Sequence, residues 1–310
     1  MKKIFVILAL CAALQISCNK ESFIFDRSAS ERIVQTLDDY RSALMDGRTW
    51  VMEYYPDPDQ SYGGWIYIVE FRDELTVKAW FEGSTFMSGS NLTLESEYAI
   101  DFSTGPMLRF STNNDYLHYF ALPGTNGYQG LRGDYEFTLM SLSPMRDRIE
   151  LRGIKTGNRI TMSPLSDEYT PESYLTAVRN SQLAVNRKLL KVIVNDQQIG
   201  TIERTSTAYL YDFAEFAASK RWTLRYSYEQ PAFDEQGLPI FETVEVSDFL
   251  SVIHLPGSVM KLYEPYIFKG DAAPFLKDQT MREFEWRLGV TSADDSYTCT
   301  DSFMEIKFVP

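Results

Sequence analysis

Cysteine is scarce in this chain of 310 residues, which contains three copies. Cys11 and Cys18 belong to an apolar N-terminal segment, so Cys299 is the one thiol left for the folded part. A single thiol cannot form an intrachain disulfide, and the fold must therefore be stabilised by apolar cores large enough to stand alone. We expect Cys299 to be a structural strand residue, since a nucleophilic thiol would need a nearby base.

Histidine is rarer still, with His118 and His254 as the two copies. Neither has a second histidine at the spacing of a helical HExxH motif, so the sequence predicts no zinc site of that type. Both lie in strand-like stretches, where we expect hydrogen-bonded rings. The nucleophile elbow, the P-loop and the dinucleotide-binding glycine motif are also missing from the sequence. These absences argue against the common enzyme classes that such motifs identify. No cofactor is expected.

Basic residues are outnumbered, with 30 Lys and Arg against 43 Asp and Glu and a formal net charge of −13. Loss of Lys2 and Lys3 with the N-terminal segment would make the charge more negative by two. Nucleic-acid binding needs a basic footprint, so no nucleic-acid partner is expected. The acidity suits a soluble domain held beside an anionic envelope, and it also serves plain solubility.

The N-terminus carries the positive pair Lys2 and Lys3, followed by an almost unbroken apolar run over residues 4–14. The run is too short to span a bilayer as a helix, which takes about 20 residues. Its length and flanks are typical of a secretory signal peptide. We therefore predict that residues 1–17 are a signal peptide and that residues 18–27 are a tether to the folded part.

The run ends in Leu-Gln-Ile-Ser-Cys, residues 14–18, which resembles the lipobox of bacterial lipoproteins. Gln15 stands where an apolar residue is usual. The resemblance implies that Cys18 is lipidated and becomes the new N-terminus, and several acyl chains hold a protein on a membrane more firmly than one. The alternative is an ordinary signal peptide with an incidental cysteine. The expected location is the outer membrane, facing either the cell surface or the periplasm.

Aromatic residues make up 14% of the chain and favour β structure. Ser28 and Glu31 form a capping-box pattern before apolar residues at helical spacing, so a helix is expected over about 29–46. Alternating or aromatic-rich segments separated by turn residues follow. They cover residues 50–55, 64–71, 74–81, 92–100, 107–111, 116–122, 135–142, 148–154 and 158–165. Because no helical pattern interrupts them, neighbouring strands should pair antiparallel in a meander, curved or closed into a barrel.

The pattern changes near residue 168, where we place a domain boundary. Thr170 suits a helix N-cap and Pro171 the first helical position. The apolar face of this second helix would be formed by Tyr174, Ala177, Val178, Ser181 and Val185. Strands then resume, with a short third helix at 209–219 and a last strand over 297–309. The expected fold is mainly β with minor α. Residues 28–168 and 169–310 would form two antiparallel β-meander or barrel-like domains, each preceded by a helix.

Three landmarks recur in the same order in the two halves. They are a first strand near Trp50 and near Leu190, a glycine before an alternating strand at Gly105 and Gly257, and a Glu-Phe pair at 136–137 and 283–284. The shared order indicates a tandem duplication of one helix-plus-sheet unit. Coincidence in a β-rich composition is the alternative.

Several stretches of the chain carry more specific sequence markers. They are Phe25–Arg32, Trp50–Asp57 with Gly63 and Gly64 nearby, Leu117–Phe120, Gly133–Phe137 and Gly153–Ile160. Together they resemble the DUF4302 family of Bacteroidetes lipoproteins, densely in the first half and loosely in the second. The resemblance implies an envelope lipoprotein of the kind often associated with SusC/SusD-type nutrient uptake and with zinc peptidases. It implies no catalytic residues, because the family has no assigned activity.

The most distinctive loop covers residues 54–65. Asp57 and Asp59 could direct both carboxylates at one hard cation such as Ca²⁺, which takes roughly six to eight oxygens. The alternative is a plain turn with Gly63 and Gly64 at positive φ. The aromatic residues of the loop are Tyr54, Tyr55, Tyr62 and Trp65. Such rings beside carboxylates suit a glycan- or peptide-binding surface, and cross-strand pairing is the alternative.

These features favour a non-catalytic binding or accessory lipoprotein of an outer-membrane nutrient-uptake system, with a glycan or peptide ligand. Its partners would be the membrane, through the lipid anchor, and SusC/SusD-type uptake proteins or a zinc peptidase. A secreted hydrolase that uses carboxylates is the second hypothesis, because 43 acidic residues allow many pairings. A structural or assembly lipoprotein without a small ligand is the third.

Overall fold

Both halves of the chain form a closed antiparallel barrel of eight strands that is preceded by a helix. The computed structural model describes residues 27–86, 93–123, 130–184, 188–204, 213–270, 280–290, 295–302 and 305–310. The predicted signal peptide, Cys18 and the tether up to residue 26 lie outside these residues. The expected class, mainly β with a helix before each domain, is confirmed.

Barrel 1 follows helix α1, Ala29–Leu44. Its strands are β1 (Thr49–Tyr54), β2 (Trp65–Phe71), β3 (Thr76–Phe81), β4 (Leu94–Phe102), β5 (Pro106–Phe110), β6 (Glu136–Leu142), β7 (Ile149–Gly153) and β8 (Arg159–Pro164). A 3₁₀ helix, Glu82–Phe86, lies between β3 and β4. Helix α2, Pro171–Ala184, leads into barrel 2. The predicted domain boundary at residue 168 falls between β8 and α2.

Barrel 2 contains helix α3, Phe213–Ala218, between its second and third strands. Its strands are β9 (Leu189–Val194), β10 (Gln197–Glu203), β11 (Arg221–Phe233), β12 (Pro239–Leu255), β13 (Val259–Ile267), β14 (Thr280–Arg287), β15 (Ser296–Cys299) and β16 (Ile306–Val309). β11 and β12 are the longest strands in the described chain, at 13 and 17 residues.

The helices begin where the capping patterns predict. The Ser28 N–H donates to the Glu31 carboxylate at 2.8 Å, and the Glu31 N–H donates back to the Ser28 hydroxyl oxygen at 3.3 Å. In α2, the Ser173 N–H donates to the Thr170 hydroxyl oxygen at 3.2 Å. These bonds satisfy backbone donors that a helix start leaves without intrahelical partners.

Each barrel is an uninterrupted meander that closes by pairing its first strand with its last. In barrel 1, Trp50 on β1 lies opposite Pro164 on β8. In barrel 2, Val192 on β9 lies opposite Phe308 on β16. Closure pairs the two edges that an open sheet would expose, so the meanders are barrels and not curved open sheets.

The landmarks shared by the two halves occupy equivalent strands. The strands that contain Trp50 and Leu190 are the first of each barrel, the glycines precede the fifth, and the Glu-Phe pairs lie in the sixth. The two halves therefore repeat one order of elements, as a tandem copy of a helix-plus-barrel unit predicts.

Two strand predictions are wrong. Residues 116–122 form turns, because the Asn114 side-chain oxygen accepts from the N–H groups of Tyr116 and Leu117 at 3.0 and 3.2 Å and satisfies them locally. His118 consequently lies in a turn, not in a strand. Residues 297–309 are not one strand, since β15 ends at Cys299 and β16 begins at Ile306. Cys299 is a strand residue, as expected.

Parts of the helix predictions fall outside the described residues. Val185, predicted for the apolar face of α2, is one such residue, and so are residues 209–212 of the predicted third helix. Of the predicted α2 face, Val178 and Ser181 are buried. None of the helices in the described ranges is both long enough and apolar enough to cross a bilayer.

Candidate functional site: a groove at the seam of the two barrels

Helix α2 and one outer face of each barrel enclose an apolar cluster between the barrels, at a contact that we call the seam. Its buried members are Val51, Tyr55, Ile66, Ile68 and Trp80 of barrel 1, Val178 of α2 and Ile253 of barrel 2. On β2, Trp65 and Tyr67 point into barrel 1, whereas Ile66 and Ile68 face the seam. Both faces of this strand are therefore buried.

Helix α2 is tied to both barrels by polar contacts. The indole N–H of Trp80 in barrel 1 donates to the Glu172 carboxylate at 2.8 Å, and this bond lowers the pKa of Glu172. On the other side, the Ser258 N–H of barrel 2 donates to the Ser181 hydroxyl oxygen at 2.9 Å. The helix therefore holds the barrels in one mutual orientation.

Gly63 and Gly64 allow the loop between β1 and β2 to touch barrel 2. Gly63 has a φ of 66°, as predicted, and a Cβ on it would overlap the side chain of Lys220. The expectation of positive φ is wrong for Gly64, where the reason for glycine is close approach. A Cβ on Gly64 would lie 2.6 Å from the Ile253 Cβ, and the Gly64 N–H donates to the Val252 carbonyl at 2.9 Å.

A buried ion pair crosses the seam. Lys220 Nζ lies 2.6 Å from Glu82 Oε1, and 0% and 1% of the two side chains are exposed. Nζ also donates to the Gly64 carbonyl at 2.7 Å and lies 4.4 Å from the centroid of the Trp65 ring. The second Glu82 oxygen accepts from the Ile66 N–H at 2.9 Å. Burial lowers the pKa of Lys220, and the Glu82 carboxylate opposes that shift.

The loop aromatics predicted to bind a ligand are mostly structural. Tyr54, Tyr55 and Trp65 are 2%, 4% and 0% exposed, so their ring faces contact protein and not solvent. Tyr55 packs against Tyr263 of barrel 2, with 4.6 Å between ring centroids and 54° between the ring planes. Tyr62 is half-buried against the barrel 1 core. The prediction fails for the three buried rings, because barrel 1 and the seam cover the faces that a sugar would need.

Asp57 and Asp59 do converge, but on a guanidinium group. Arg132 forms ion pairs with both carboxylates, at 3.0 Å to Asp59. Asp57 is fully buried with a φ of 68°, and its carboxylate also accepts from the Ser61 N–H at 3.1 Å. Within the described ranges, no group of three or more His, Cys, Asp or Glu side chains is placed to hold a metal ion. The ion pairs of Asp57 and Asp59 with Arg132 therefore stabilise the turn between β1 and β2.

A bulge in β13 projects Tyr263, Glu264 and Pro265 into the seam. Lys261 pairs with Glu283 on β14, and the next pair along β13 is Tyr266 with Met281, so the residues between them leave the ladder. Pro265 lacks an N–H and cannot donate to a neighbouring strand. The Tyr263 hydroxyl oxygen accepts from the Arg159 N–H of barrel 1 at 2.9 Å, which fixes the bulge across the seam.

A first pocket of about 210 Å³ lies on one side of this bulge. Its lining includes Asp59, Gln60, Arg221, Phe249, Ser251, Tyr263, Glu264 and Tyr266. The Arg221 guanidinium lies 3.8 Å from the centroid of the Phe249 ring, and this ring is 63% exposed. The Ser251 hydroxyl is buried and has no hydrogen-bond partner among the described residues. The pocket therefore offers an exposed ring, a cation and a free hydroxyl.

A second pocket of about 350 Å³ lies on the other side of the bulge, against barrel 1. Its lining comprises Met140, Glu150, Leu151, Arg152, Gly157, Arg159, Tyr263 and Glu264. Because Tyr263 and Glu264 line both pockets, the two adjoin as one groove along the seam, which we call the seam groove.

Charges in the seam groove are unevenly paired. Throughout the described ranges, no ion pair includes the guanidinium group of Arg152, Arg159 or Arg221. Arg152 instead donates to the Gly157 carbonyl at 3.1 Å. Glu264 also forms no ion pair with the residues that the structure describes. The groove thus holds three guanidinium groups that are available to an anionic ligand.

Tyr266 closes one end of the first pocket through a fixed hydrogen-bond network. Its hydroxyl donates to Asp248 at 2.7 Å, and Lys269 Nζ lies 2.7 Å from the same carboxylate oxygen. Burial raises the pKa of Asp248, but hydrogen bonds from Lys269 and Tyr266 outweigh it, so the net pKa is lowered. The carboxylate therefore stays ionised and holds the Tyr266 ring in place.

The groove residues of barrel 2 were not among the predicted site residues. Tyr263, Glu264 and Pro265 lie in a strand-like segment, and the proline within that segment was the available signal for a bulge. Arg221 begins a strand pattern and is half-buried, with its guanidinium group against the ring of Phe249 on the neighbouring strand β12. Of the predicted site residues, Asp59 lines the groove directly.

The fold and the groove define a mainly β protein of two closed barrels with an open polar groove at their seam. The family model described as Domain of unknown function (DUF4302) matches residues 21–252, and the chain belongs to that family. The matched region includes all of barrel 1, α2 and barrel 2 as far as Val252, and so covers Arg221 and Phe249. Comparison with curated proteins and with solved structures finds no match.

Proposed function

We propose that the protein is a non-catalytic lipoprotein of the cell envelope that binds an acidic glycan in the seam groove. The observation that supports this proposal is the set of three groove arginines, Arg152, Arg159 and Arg221, that form no ion pair with the described residues, in a chain of net charge −13. A guanidinium group binds carboxylates through two parallel hydrogen bonds, which suits uronic or sialic acid units. Phe249 and Tyr263 add ring faces on which the apolar side of a sugar can rest.

The envelope location in this proposal is supported by the N-terminal sequence. Residues 14–18 resemble a lipobox, with Cys18 as the lipid-bearing residue and the outer membrane as its destination. In that position the protein would be an accessory of a SusC/SusD-type nutrient-uptake system or of a zinc peptidase. It would hold an acidic glycan near the membrane for transfer to the uptake proteins.

Isothermal titration of the purified chain tests the ligand class. Oligogalacturonates are the acidic probe, neutral cello-oligosaccharides are the charge control, and acidic peptides are the competing class. Arg221→Gln and Arg159→Gln should each weaken oligogalacturonate binding about tenfold, since each removes a charge-assisted hydrogen bond. Arg287→Gln is the matched control, because Arg287 is exposed and pairs with Glu285.

Each outcome bears on the proposal. Failure of oligogalacturonates to bind, or binding that is unchanged in both groove variants, would contradict it. Binding of acidic peptides alone would move the ligand to the peptide class. Formation of new reducing ends during incubation would favour the carboxylate-dependent hydrolase, and Glu264 would then be the first acid to substitute.

A further inference from the structure

Strands β11 and β12 continue beyond barrel 2 as a two-stranded ribbon. β10 pairs with β11 only as far as Tyr226, and β13 pairs with β12 only from Val252 onward. β11 and β12 pair with each other as far as Phe233 opposite Pro239. Residues 229–243, which we call the arm, therefore have no third strand beside them in the described chain. At about 3.3 Å per residue, its five-residue strands reach roughly 17 Å outward.

One face of the arm carries two exposed phenyl rings and two prolines. Phe233 lies opposite Pro239, and Phe241 lies opposite Pro231. Residues two apart on a strand share a face, so all four side chains lie on the same face of the ribbon. Phe233 is 75% exposed and Phe241 is 74% exposed. A contiguous apolar patch of this kind, outside any core, is typical of an interaction surface.

The tip of the arm is held in one conformation by Asp234. Its carboxylate accepts from the N–H groups of Gln236 and Leu238 at 2.9 and 2.8 Å. The Asp234 N–H donates to the Leu238 carbonyl at 2.9 Å, and Gly237 supplies a φ of 77° for the turn. The rings are thus presented on an ordered hairpin, which lowers the entropy cost of binding.

The charges on the arm have one sign. Residues 226–260 contain no lysine or arginine. The arm itself carries Glu229, Asp234, Glu235 and Glu242. This charge opposes contact with a second copy of the same acidic chain, and it opposes contact with an anionic lipid surface. It favours a partner whose contact surface is basic.

The two prolines also restrict how a partner can bind. Pro231 on β11 and Pro239 on β12 each lack an N–H donor, so both strands of the arm are poor templates for an added strand. Prolines at free edges are a usual protection against edge-to-edge pairing. Contact through the side chains of the aromatic face therefore remains the favoured mode.

We propose that the arm is a docking element for a partner protein that presents an apolar pocket with a rim of lysine and arginine residues. Phe233 and Phe241 fill the pocket, and the arm carboxylates pair with the rim. The arm lies outside the seam groove and shares no residue with it. An experiment can therefore contradict glycan binding in the seam groove and still support docking through the arm, or the reverse.

Site-specific photo-crosslinking in the producing cells tests the docking surface. A benzophenone amino acid at position 241 should yield one dominant cross-linked protein, whose modified peptide lies on a surface rich in lysine and arginine. The same probe at position 145 is the control, because Met145 is 81% exposed on barrel 1. Phe233→Ser should reduce the product at position 241 about tenfold, as loss of one aromatic anchor does at an interface. Glu229→Gln, which removes the carboxylate on the same face as the two rings, should also reduce it.

The same experiment can overturn the proposal in several ways. Products at position 241 that match those at position 145, or no product at all, would show that the arm has no partner. Cross-links to lipid or to a second copy of this chain would assign a different occupant. A modified peptide from an acidic surface would contradict the charge argument. Unchanged thermal unfolding of Phe233→Ser would show that the barrels stay folded, because the ring is not part of a core.

Discussion

The ammonium group of Lys220 and the carboxylate of Glu82 lie 2.6 Å apart in the seam, and neither side chain is reached by solvent. Removing two charges from water is costly, and their mutual attraction offsets this cost only when the remaining hydrogen bonds are made. Here the Gly64 carbonyl and the Ile66 N–H complete the set. Three of these residues come from barrel 1 and one from barrel 2, so the pair specifies how the barrels meet.

Glu82→Gln should lower the free energy of unfolding by about 3–5 kcal/mol, because it leaves Lys220 buried without a counter-charge. Urea unfolding followed by circular dichroism measures the change. Glu285→Gln, at an exposed ion pair with Arg287, is the matched control and should change stability by less than about 1 kcal/mol. Joint replacement by Glu82→Leu and Lys220→Met should recover only part of the loss, because the buried Ile66 N–H and Gly64 carbonyl then lose their side-chain partners. Equal stability of Glu82→Gln and the control would contradict the assignment.

Gly64→Ala should destabilise the contact between the barrels. The new Cβ would lie 2.6 Å from the Ile253 Cβ and 2.7 Å from the Tyr55 ring, so the seam must open or distort. We expect a loss of about 1–3 kcal/mol, as for other overpacked interiors. Gly105→Ala is the control, since its nearest neighbour would be 3.8 Å away. A loss as small as that of the control would show that the loop is free to move.

His254 should make stability fall as the solution becomes acidic. Its ring is fully buried without a hydrogen-bond partner among the described residues, which corrects the expectation of a bonded ring. Burial, together with Lys220 and Arg204, holds its pKa well below 6.5. The unfolded chain therefore binds a proton below pH 6.5 that the folded protein does not. The stability that the neutral His254 ring contributes is fully present above pH 6.5. It is lost as the pH falls toward the pKa that His254 has in the folded protein.

Urea unfolding at pH 7.5 and pH 5.5 measures the His254 contribution. The unmodified protein should lose about 1.4 kcal/mol more than His254→Leu over this interval. The comparison removes the effect of all other titrating groups. Identical pH dependence in the two proteins would mean that the folded state accepts the proton.

Cys299 should be inert toward thiol reagents until the protein unfolds. Burial, with the adjacent Asp301, raises its pKa to about 12, and its thiol donates to the Asp301 carboxylate at 3.1 Å. Reaction with a disulfide reagent at pH 8 should be at least about a hundredfold slower in the native protein than in urea, because the thiolate is the reactive form. The Cys299→Ser variant shows which part of the labelling signal comes from Cys299. Rapid native labelling at this position would contradict the structure.

The run Trp-Ile-Tyr-Ile-Val, residues 65–69, shows how far the sequence predicts the fold. Its β-branched and aromatic residues predict a strand, and β2 is there. In a strand with one solvated face, apolar and polar residues alternate. A strand that is buried on both faces is apolar throughout. The run is of the second kind, and the structure covers its outer face as well as its inner one. What covers that face, α2 and Ile253, lies far along the chain and leaves no local signal.

The loop over residues 54–65 shows how far the candidate site could be predicted from the sequence. An aromatic residue has the same local pattern whether it faces solvent or another domain. Tyr55 is buried because Tyr263 packs against it, and Trp65 is buried because Phe120 and Phe216 do. The N-caps at Ser28 and Thr170, by contrast, depend on residues within one helical turn and were predictable. Contacts between the barrels decide the groove, and those could not be derived from local spacing.

Closure of each barrel through its terminal strands has a consequence for the order of folding. In barrel 1, β1 cannot complete its pairing until β8 has been synthesised, and β9 must likewise wait for β16. Such non-local pairing must overcome loop-closure entropy first, which makes folding slow. Barrel 1 can close before barrel 2 exists, yet Glu82 then lacks Lys220. Until barrel 2 folds, the apolar seam face of barrel 1, with Val51, Ile66 and Ile68, is left without the side chain of Ile253 that covers it.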